Sequence, residues 1–295
     1  MPAAKKLDVR GLQLLSIRYR RTVLEMIHRA RAGHTSGDLS CIDVLNVLYN
    51  HVLNVGPDSF TNPDRDRYIQ SKGHSVEALY AVLADRGFFP ADDLKTLCRA
   101  GSRYIGHPTR GVPGIEQNTG ALGHGLPLAV GTALAGKLDG RSHRVFVLMG
   151  DGELAEGSNW EASMAAAHYK LDNLVAIVDR NYMQITGRTE QVCSLEPLAD
   201  KFTAFGYAVR EVDGHDVAAL AEAFDQAPFV PGKPSLVLAR TIKGKGVTFM
   251  ENVAKWHHGV PTDAEYAQAL AELDAAEAQL KGRPKRATGP RGGKP

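Results

Sequence analysis

From residue 144 onward the chain alternates short apolar, β-branched runs with stretches of helical periodicity. No other feature narrows the choice of fold as much. The runs at 144–149, 174–179, 207–212 and 235–240 predict strands. Residues 160–170, 195–205 and 217–227 predict the helices between them. Strands that alternate with helices pair in parallel, because the connecting helix returns the chain across a sheet face. The expected fold class is therefore α/β, a parallel sheet flanked by helices on both faces. Such sheets hold ligands beyond the carboxyl ends of their strands.

Upstream, residues 7–32 carry Leu12, Leu15, Ile17, Val23, Leu24 and Ile27 at amphipathic-helix spacing. Ser40 is expected to cap a second helix over 41–53, with Asp43 at its third position favouring the helix dipole. A last helix is expected over 262–280. No repeat or internal linker interrupts the chain, so residues 1–282 are expected to form one domain. With 43% hydrophobic and 23% charged residues, the composition excludes a disordered, collagen-like or disulfide-scaffold protein. The best apolar stretch, 125–136, is too short and too glycine-broken to span a bilayer, and the N-terminus has no signal-peptide apolar core. Cys41, Cys98 and Cys193 form no CxxC pair and read as free thiols in a reducing cytoplasm.

The formal net charge of +2 conceals a division. Residues 281–295 contain Lys281, Arg283, Lys285, Arg286, Arg291 and Lys294 and no acid, which leaves the rest at about −4. A body of that sign is no nucleic-acid surface. Residues 283–295, basic and rich in Gly and Pro, are expected to form a disordered tail.

Glycine precedes five of the eleven histidines: His34, His74, His107, His124 and His215. Chance would give about one. A glycine lets the backbone turn tightly or approach a ligand, so each pair presents an imidazole from a loop. Several such pairs point to a shared cleft, whereas any one of them alone reads as a turn. Zinc does not fit, since HExxH spacing and cysteine companions are lacking.

The second signal follows the strand expected at 144–149. Residues 150–155, GDGELA, match the dinucleotide fingerprint GxGxxA. Two details oppose NAD: Asp151 would set a carboxylate against the pyrophosphate, and Asp179 arrives too late for the ribose acid. Another reading suits the letters better. Asp151 after one strand and Asn181 after the next lie side by side at the sheet's carboxyl edge. Together they can hold a hard divalent ion that also binds phosphate oxygens. Gly152 and the following helix N-terminus would offer N–H groups to a diphosphate.

The segment GDGELAEGSNWEASMAAAHYKLDNLVAIVDRNYMQITG resembles the thiamine diphosphate signature, and the resemblance is strongest to transketolases. It extends through GHTSGDLS (33–40), SKGHS (71–75), GHP (106–108), NTGALGHGLPLAVG (118–131), DGHD (213–216), KPSLVLARTIKGKG (233–246) and WHHG (256–259), in the family's order. It implies thiamine diphosphate with Mg2+, or another divalent cation such as Ca2+ or Mn2+. By resemblance Asp151, Asn181 and the carbonyl of Met183 are the metal ligands. His74, Gly120, Ala121, Leu122, Gly152, Glu153, Asn181 and His258 resemble cofactor-binding positions. Ala121 stands where the family usually has proline, and His124 where it often has glutamine. His34, His107 and His258 resemble the catalytic histidines that hold the ketose hydroxyls and the developing alkoxide. Of the adjacent pair His257 and His258, the following Gly259 favours His258. Glu156 resembles an acid that links the two cofactors of a dimer.

These assignments are chemically coherent. An imidazole titrating near neutrality can take and return the proton of a ketose C3 hydroxyl; the electron sink belongs to the cofactor. The glutamate that activates the cofactor lies in the family on a second, pyrimidine-binding domain. The resemblance therefore implies the N-terminal subunit of a split transketolase. Such an enzyme moves a two-carbon ketol unit from a ketose phosphate to an aldehyde. The partner would be a C-terminal subunit carrying the pyrimidine-binding and C-terminal domains, assembled with this chain as a cytoplasmic heterotetramer. Sugar phosphates are the expected substrates, with no nucleic acid or membrane partner. Alternatives are the α subunit of a 2-oxoacid dehydrogenase, a deoxyxylulose phosphate synthase, or a non-catalytic relative; the first two would lack GHP.

Overall fold

The computed structural model describes residues 7–282; the expected tail at 283–295 lies outside them. The chain opens with α1 (Val9–Ala30), capped by Asp8, whose carboxylate accepts from the amide of Gly11 at 2.7 Å. Then follow α2 (Thr35–Val47), which runs into one π turn (Leu48–Val52), the strand β1 (Arg67–Gln70) and α3 (Val76–Asp85). After a long irregular stretch come α4 (Gly125–Leu138), β2 (Val145–Gly150), α5 (Gly157–His168) and β3 (Leu174–Arg180). A small ribbon, β4 (Met183–Gln184) and β5 (Gly187–Arg188), precedes α6 (Thr189–Val192) and α7 (Leu198–Ala204). The remainder is β6 (Ala208–Asp213), α8 (Val217–Asp225), β7 (Ser235–Arg240) and α9 (Asp263–Gly282).

The main sheet has five strands in the order β1-β2-β3-β7-β6, all parallel. Successive strand residues point to opposite faces, and the two faces feed two cores. Phe146, Leu148, Val175, Ile177, Val237 and Ala239 join the core beneath α1, α2, α3, α8 and α9. Val145, Val147, Met149, Leu174, Ala176, Val178 and Leu238 join the core beneath α4, α5 and α7. That two-sided burial explains why these strands read as continuous apolar runs with no alternation. Each large side chain so buried contributes roughly 1.5–3 kcal/mol. The connection β2–α5–β3 covers one face and β6–α8–β7 the other, so the topology reverses between β3 and β7. The carboxyl ends of those two strands are where a ligand crevice opens in such a sheet.

Three elements depart from the sequence reading. The second helix begins at Thr35, not after Ser40. Ser40 caps nothing: its hydroxyl bonds Gly37 O at 2.9 Å and Asp179 Oδ2 at 2.5 Å. Asp43 likewise answers tertiary partners rather than the dipole, since it receives Arg20 and His215. β1 and α3 carried no strand or helix expectation, and α4, built of small residues, packs against α5 and β2. Among the described residues no helix is long and apolar enough to cross a membrane.

Candidate active site

A cavity of about 450 Å³ opens at the carboxyl edge of the sheet. β2 delivers Asp151, Gly152 and Glu153; β3 delivers Asn181, and the ribbon after it Met183, Gln184 and Ile185; the loop after β7 delivers Lys243. Facing them are His34 at the start of α2, His74 just before α3, the turn residues Gly120 and Leu122, and His257. The topology reversal thus carries the site.

Three buried carboxylates organise the floor. Asp179 takes the ammonium of Lys72 and the hydroxyl of Thr241, along with Ser40. Burial, the largest influence, would raise its pKa, but Lys72 together with the hydrogen bonds of Ser40 and Thr241 holds it below the ordinary value. Glu153 accepts from Ser71, from Gly123 N at 2.9 Å and from Gly150 N at 3.0 Å, so it ties three loops together. Asp151 Oδ2 receives Tyr182 N at 2.6 Å and Arg180 Nη1 at 3.1 Å, and Oδ1 receives Gly152 N at 2.8 Å. Burial and the neighbouring Asp179 still push Asp151 up to about 6. Asn181 is oriented on both sides: Nδ2 donates to Asp179 at 3.2 Å and Oδ1 accepts from Met183 N at 3.0 Å.

Opposite the carboxylates stands a cluster of five imidazoles. The His34 ring lies 5.3 Å from His74, 6.0 Å from His107, 5.5 Å from His257 and 4.6 Å from His258. Burial, then the neighbouring imidazoles, lower His34 to about 4; burial and Lys243 lower His257 to about 3. His74 is pushed well below its usual value by burial and Lys72, and His107 is lowered by burial. Neutral imidazoles can both give and take protons toward hydroxyl groups. Backbone geometry makes the cluster possible. Gly33 has φ +152°, and a Cβ there would meet Ile27 Cγ1 at 2.5 Å. A Cβ on Gly73 would meet Gly120 N at 2.7 Å, and one on Gly120, at φ +139°, would meet the His107 ring at 2.7 Å. The turn at Gly120 is thus packed between the turn that presents His74 and the ring of His107.

Residues 13–277 match the family model described as "Transketolase, thiamine diphosphate binding domain". The chain belongs to the transketolase family. It is 49% identical, over 90% of its length and 95% of the relative's, to an apulose-4-phosphate transketolase subunit of Phocaeicola vulgatus. It is 43% identical, over 86% and 93%, to 6-deoxy-6-sulfo-D-fructose transketolase subunit SqwG of Clostridium sp.. Among solved structures, a transketolase from Pichia stipitis superposes with a TM-score of 0.80 at 28% identity, over 92% of this chain and 45% of that one. One from Campylobacter jejuni gives 0.77 at 30%, over 92% and 48%. The chain therefore spans just under half the length of the solved transketolases it matches.

In this transketolase-family site the structure brings together Asp151, Gly152, Glu153, Asn181, Met183, His34, His74, Gly120 and Leu122 as cavity lining. His107 stands one ring away from that lining. Ala121, between the lining residues Gly120 and Leu122, and Glu156 are exposed. Of the adjacent pair, His257 lines the cavity and His258 is exposed beside His34. The reason is local. Both lie in the 3-10 turn Ala254–His258, where neighbouring side chains splay about 120° apart, so only one can face inward. Two glycine-preceded histidines lie elsewhere. His124 is exposed and its Nδ1 faces the carbonyls of Ala121 and Leu122, and His215 binds Asp43. Sequence reasoning passed over Lys72 and Lys243, both buried. No local signal marks them, since each is held by tertiary partners: Lys72 by Asp179, and Lys243 by His257 and Met183 O. The thiols need no pairing: Cys41 is buried and Cys98 and Cys193 are exposed, all free.

Proposed function

We propose that this chain is the diphosphate-binding half of a two-chain transketolase that moves a ketol unit from a ketose phosphate to an aldehyde. The observation that carries the reading is the face-to-face arrangement of the Asp151–Asn181–Met183 donors and the His34 cluster across one cavity. The donors fit a divalent cation. They offer a carboxylate, an amide oxygen and a peptide carbonyl, all hard ligands. Such a small set leaves positions for phosphate oxygens, as Mg2+ prefers. Gly152 lets a diphosphate approach the backbone, and Lys243, 3.5 Å from Met183 O, offers an ammonium beside the metal ligands.

Bound thiamine diphosphate would supply the electron sink for the two-carbon unit. The chain's own residues do the rest. His34 and His257, held neutral, donate to and accept from the sugar hydroxyls. His107 lies across the cluster, where it can reach the hydroxyl that loses its proton. His258 stands at the mouth beside His34, and Glu156 and Ala121 face outward, where an assembled partner would meet them. The relatives named as transketolase subunits support a separate companion chain, and we infer a heterotetramer of two copies of each.

The test is reconstitution. The purified chain is incubated with thiamine diphosphate, Mg2+, a ketose phosphate and an aldehyde, with and without the companion chain. Ketol transfer is expected only with both chains, saturating near one-to-one stoichiometry. Full turnover by this chain alone would overturn the two-chain reading.

A further inference from the structure

The DGHD turn contributes nothing directly to the cavity, yet its histidine is held on both sides. Ile242 N–H donates to His215 Nε2 at 2.8 Å, so Nε2 is unprotonated and Nδ1 carries the hydrogen. That Nδ1 faces Asp43 Oδ2 at 2.8 Å. Asp43 is paired in turn with Arg20, at 3.1 Å to Nη1 and 2.6 Å to Nη2. All three side chains are largely buried. Arg20 uses its remaining donors on backbone carbonyls: Ser16 O at 3.4 Å, Leu39 O at 3.3 Å and, through Nε, Lys245 O at 2.9 Å. The two ends of this triad therefore grip the chain at residues 242 and 245. Lys243, whose Nζ enters the cavity, lies between the two grips.

We propose that Arg20, Asp43 and His215 are positioning residues that set Lys243 against the cofactor's diphosphate by clamping the backbone on both sides of it. The inference rests on the role assigned to Lys243 under the proposed function. The geometry gives the clamp a direction. A lysine side chain has four rotatable bonds and loses on the order of 2 kcal/mol of rotamer freedom when fixed. A fixed backbone on both flanks reduces the further ordering that binding requires. The tautomer matters too. Only a side chain that accepts at the Nε2 position satisfies Ile242 N–H.

The test compares His215→Phe, His215→Gln, Asp43→Asn and Lys243→Met in the complex with the companion chain. Amide hydrogen exchange over 241–247 reads the clamp without reference to activity, and calorimetry with thiamine diphosphate and Mg2+ reads its consequence. His215→Phe is expected to speed exchange in that segment at least tenfold and weaken cofactor binding about tenfold, while KM for the ketose stays within twofold. His215→Gln, which restores an acceptor for Ile242, is expected to recover most of both. If Phe and Gln behave alike, or exchange over 241–247 is unchanged in both, the positioning role is wrong. Should His215→Phe fail to fold, Asp43→Asn and His215→Gln give the same comparison. If Lys243→Met binds the cofactor as tightly as the parent, the assignment of Lys243 fails, and the exchange data still decide whether the clamp exists.

Discussion

Nζ of Lys243 stands 2.8 Å from Nδ1 of His257. An ammonium can only donate, so Nδ1 accepts and the neutral ring keeps its hydrogen on Nε2. This contact fixes which face of His257 offers a donor to a bound molecule. Lys243→Met should remove the donor and the second-largest influence on the ring, leaving burial with the smaller effects of His34, Lys72 and His258. The His257 pKa, now about 3, is then expected to rise by on the order of one unit, toward the ordinary imidazole value. Proton NMR of the ring resonances against pH checks it, and an unchanged midpoint would show that Lys243 does not act on the ring. A charged hydrogen bond to a diphosphate is worth roughly 1.5–3 kcal/mol, so cofactor affinity should fall about 10- to 100-fold in the same variant.

Asp151→Ala removes the one carboxylate among the proposed metal ligands. Arg180 keeps Thr189, Glu190 and Glu196 as partners, so the fold should survive. Calorimetric titration of the reconstituted complex with thiamine diphosphate and Mg2+ is expected to show binding weaker by about 100-fold or more. Parent-like affinity would remove Asp151 from the metal site.

His107 and His74 should separate by readout. His107→Ala is expected to leave cofactor affinity within about twofold while kcat/KM for the ketose falls by about 100-fold. His74→Ala, deeper in the cavity, should weaken the cofactor instead. Steady-state kinetics with independently varied ketose and cofactor distinguish the two, and a reversed pattern would exchange their roles.

Asp38 and Glu77 predict how stability depends on pH. The two carboxyls are buried and interact with each other, and Asp38 Oδ1 accepts Ala78 N–H at 2.8 Å. No donor reaches Asp38 Oδ2 or either Glu77 oxygen, and a proton held between the two carboxyls would satisfy them. Burial pushes Asp38 up to about 7, and burial with Asp38 beside it pushes Glu77 well above its usual value. A folded pKa above the unfolded one means that the native state binds the extra proton. Stability is therefore full below the unfolded pKa and declines as pH rises through 7. Urea denaturation midpoints between pH 5 and pH 8 should fall. In Glu77→Gln, which donates without titrating, the decline should flatten.

The sequence carried the sheet further than it carried the site. β2, β3 and β7 were legible because burial on both faces demands apolar β-branched runs, and the edge strand β6 by its valines and the turn that follows it. β1 was not, since its four residues, Arg67–Gln70, end in a charge and an amide and pair along one edge only. The start of α2 was missed because Ser40 has the chemistry of a cap but spends its hydroxyl on Asp179, 139 residues away. Glycine-histidine pairs located His34, His74 and His107, yet the same pattern at His124 and His215 serves a turn and a buried triad. The glycine after His258 pointed to that ring, whereas the 3-10 turn sets His257 toward the cavity and leaves His258 at its mouth. Lys72 and Lys243 escaped notice because a buried lysine is recognised by its partner, and both partners are distant in sequence.

The contact between Gly120 and the ring of His107 constrains how such an enzyme can be re-engineered. One backbone atom serves two ligands: it shapes the turn proposed to hold the cofactor, and it forms the wall against which the sugar-side imidazole rests. A library that enlarges the His107 loop to admit a bulkier ketose will push on that turn. Improved variants should then show a correlated loss of cofactor retention unless the library also varies residues 118–122. Selection under excess thiamine diphosphate would hide that trade-off, and selection under limiting thiamine diphosphate would expose it.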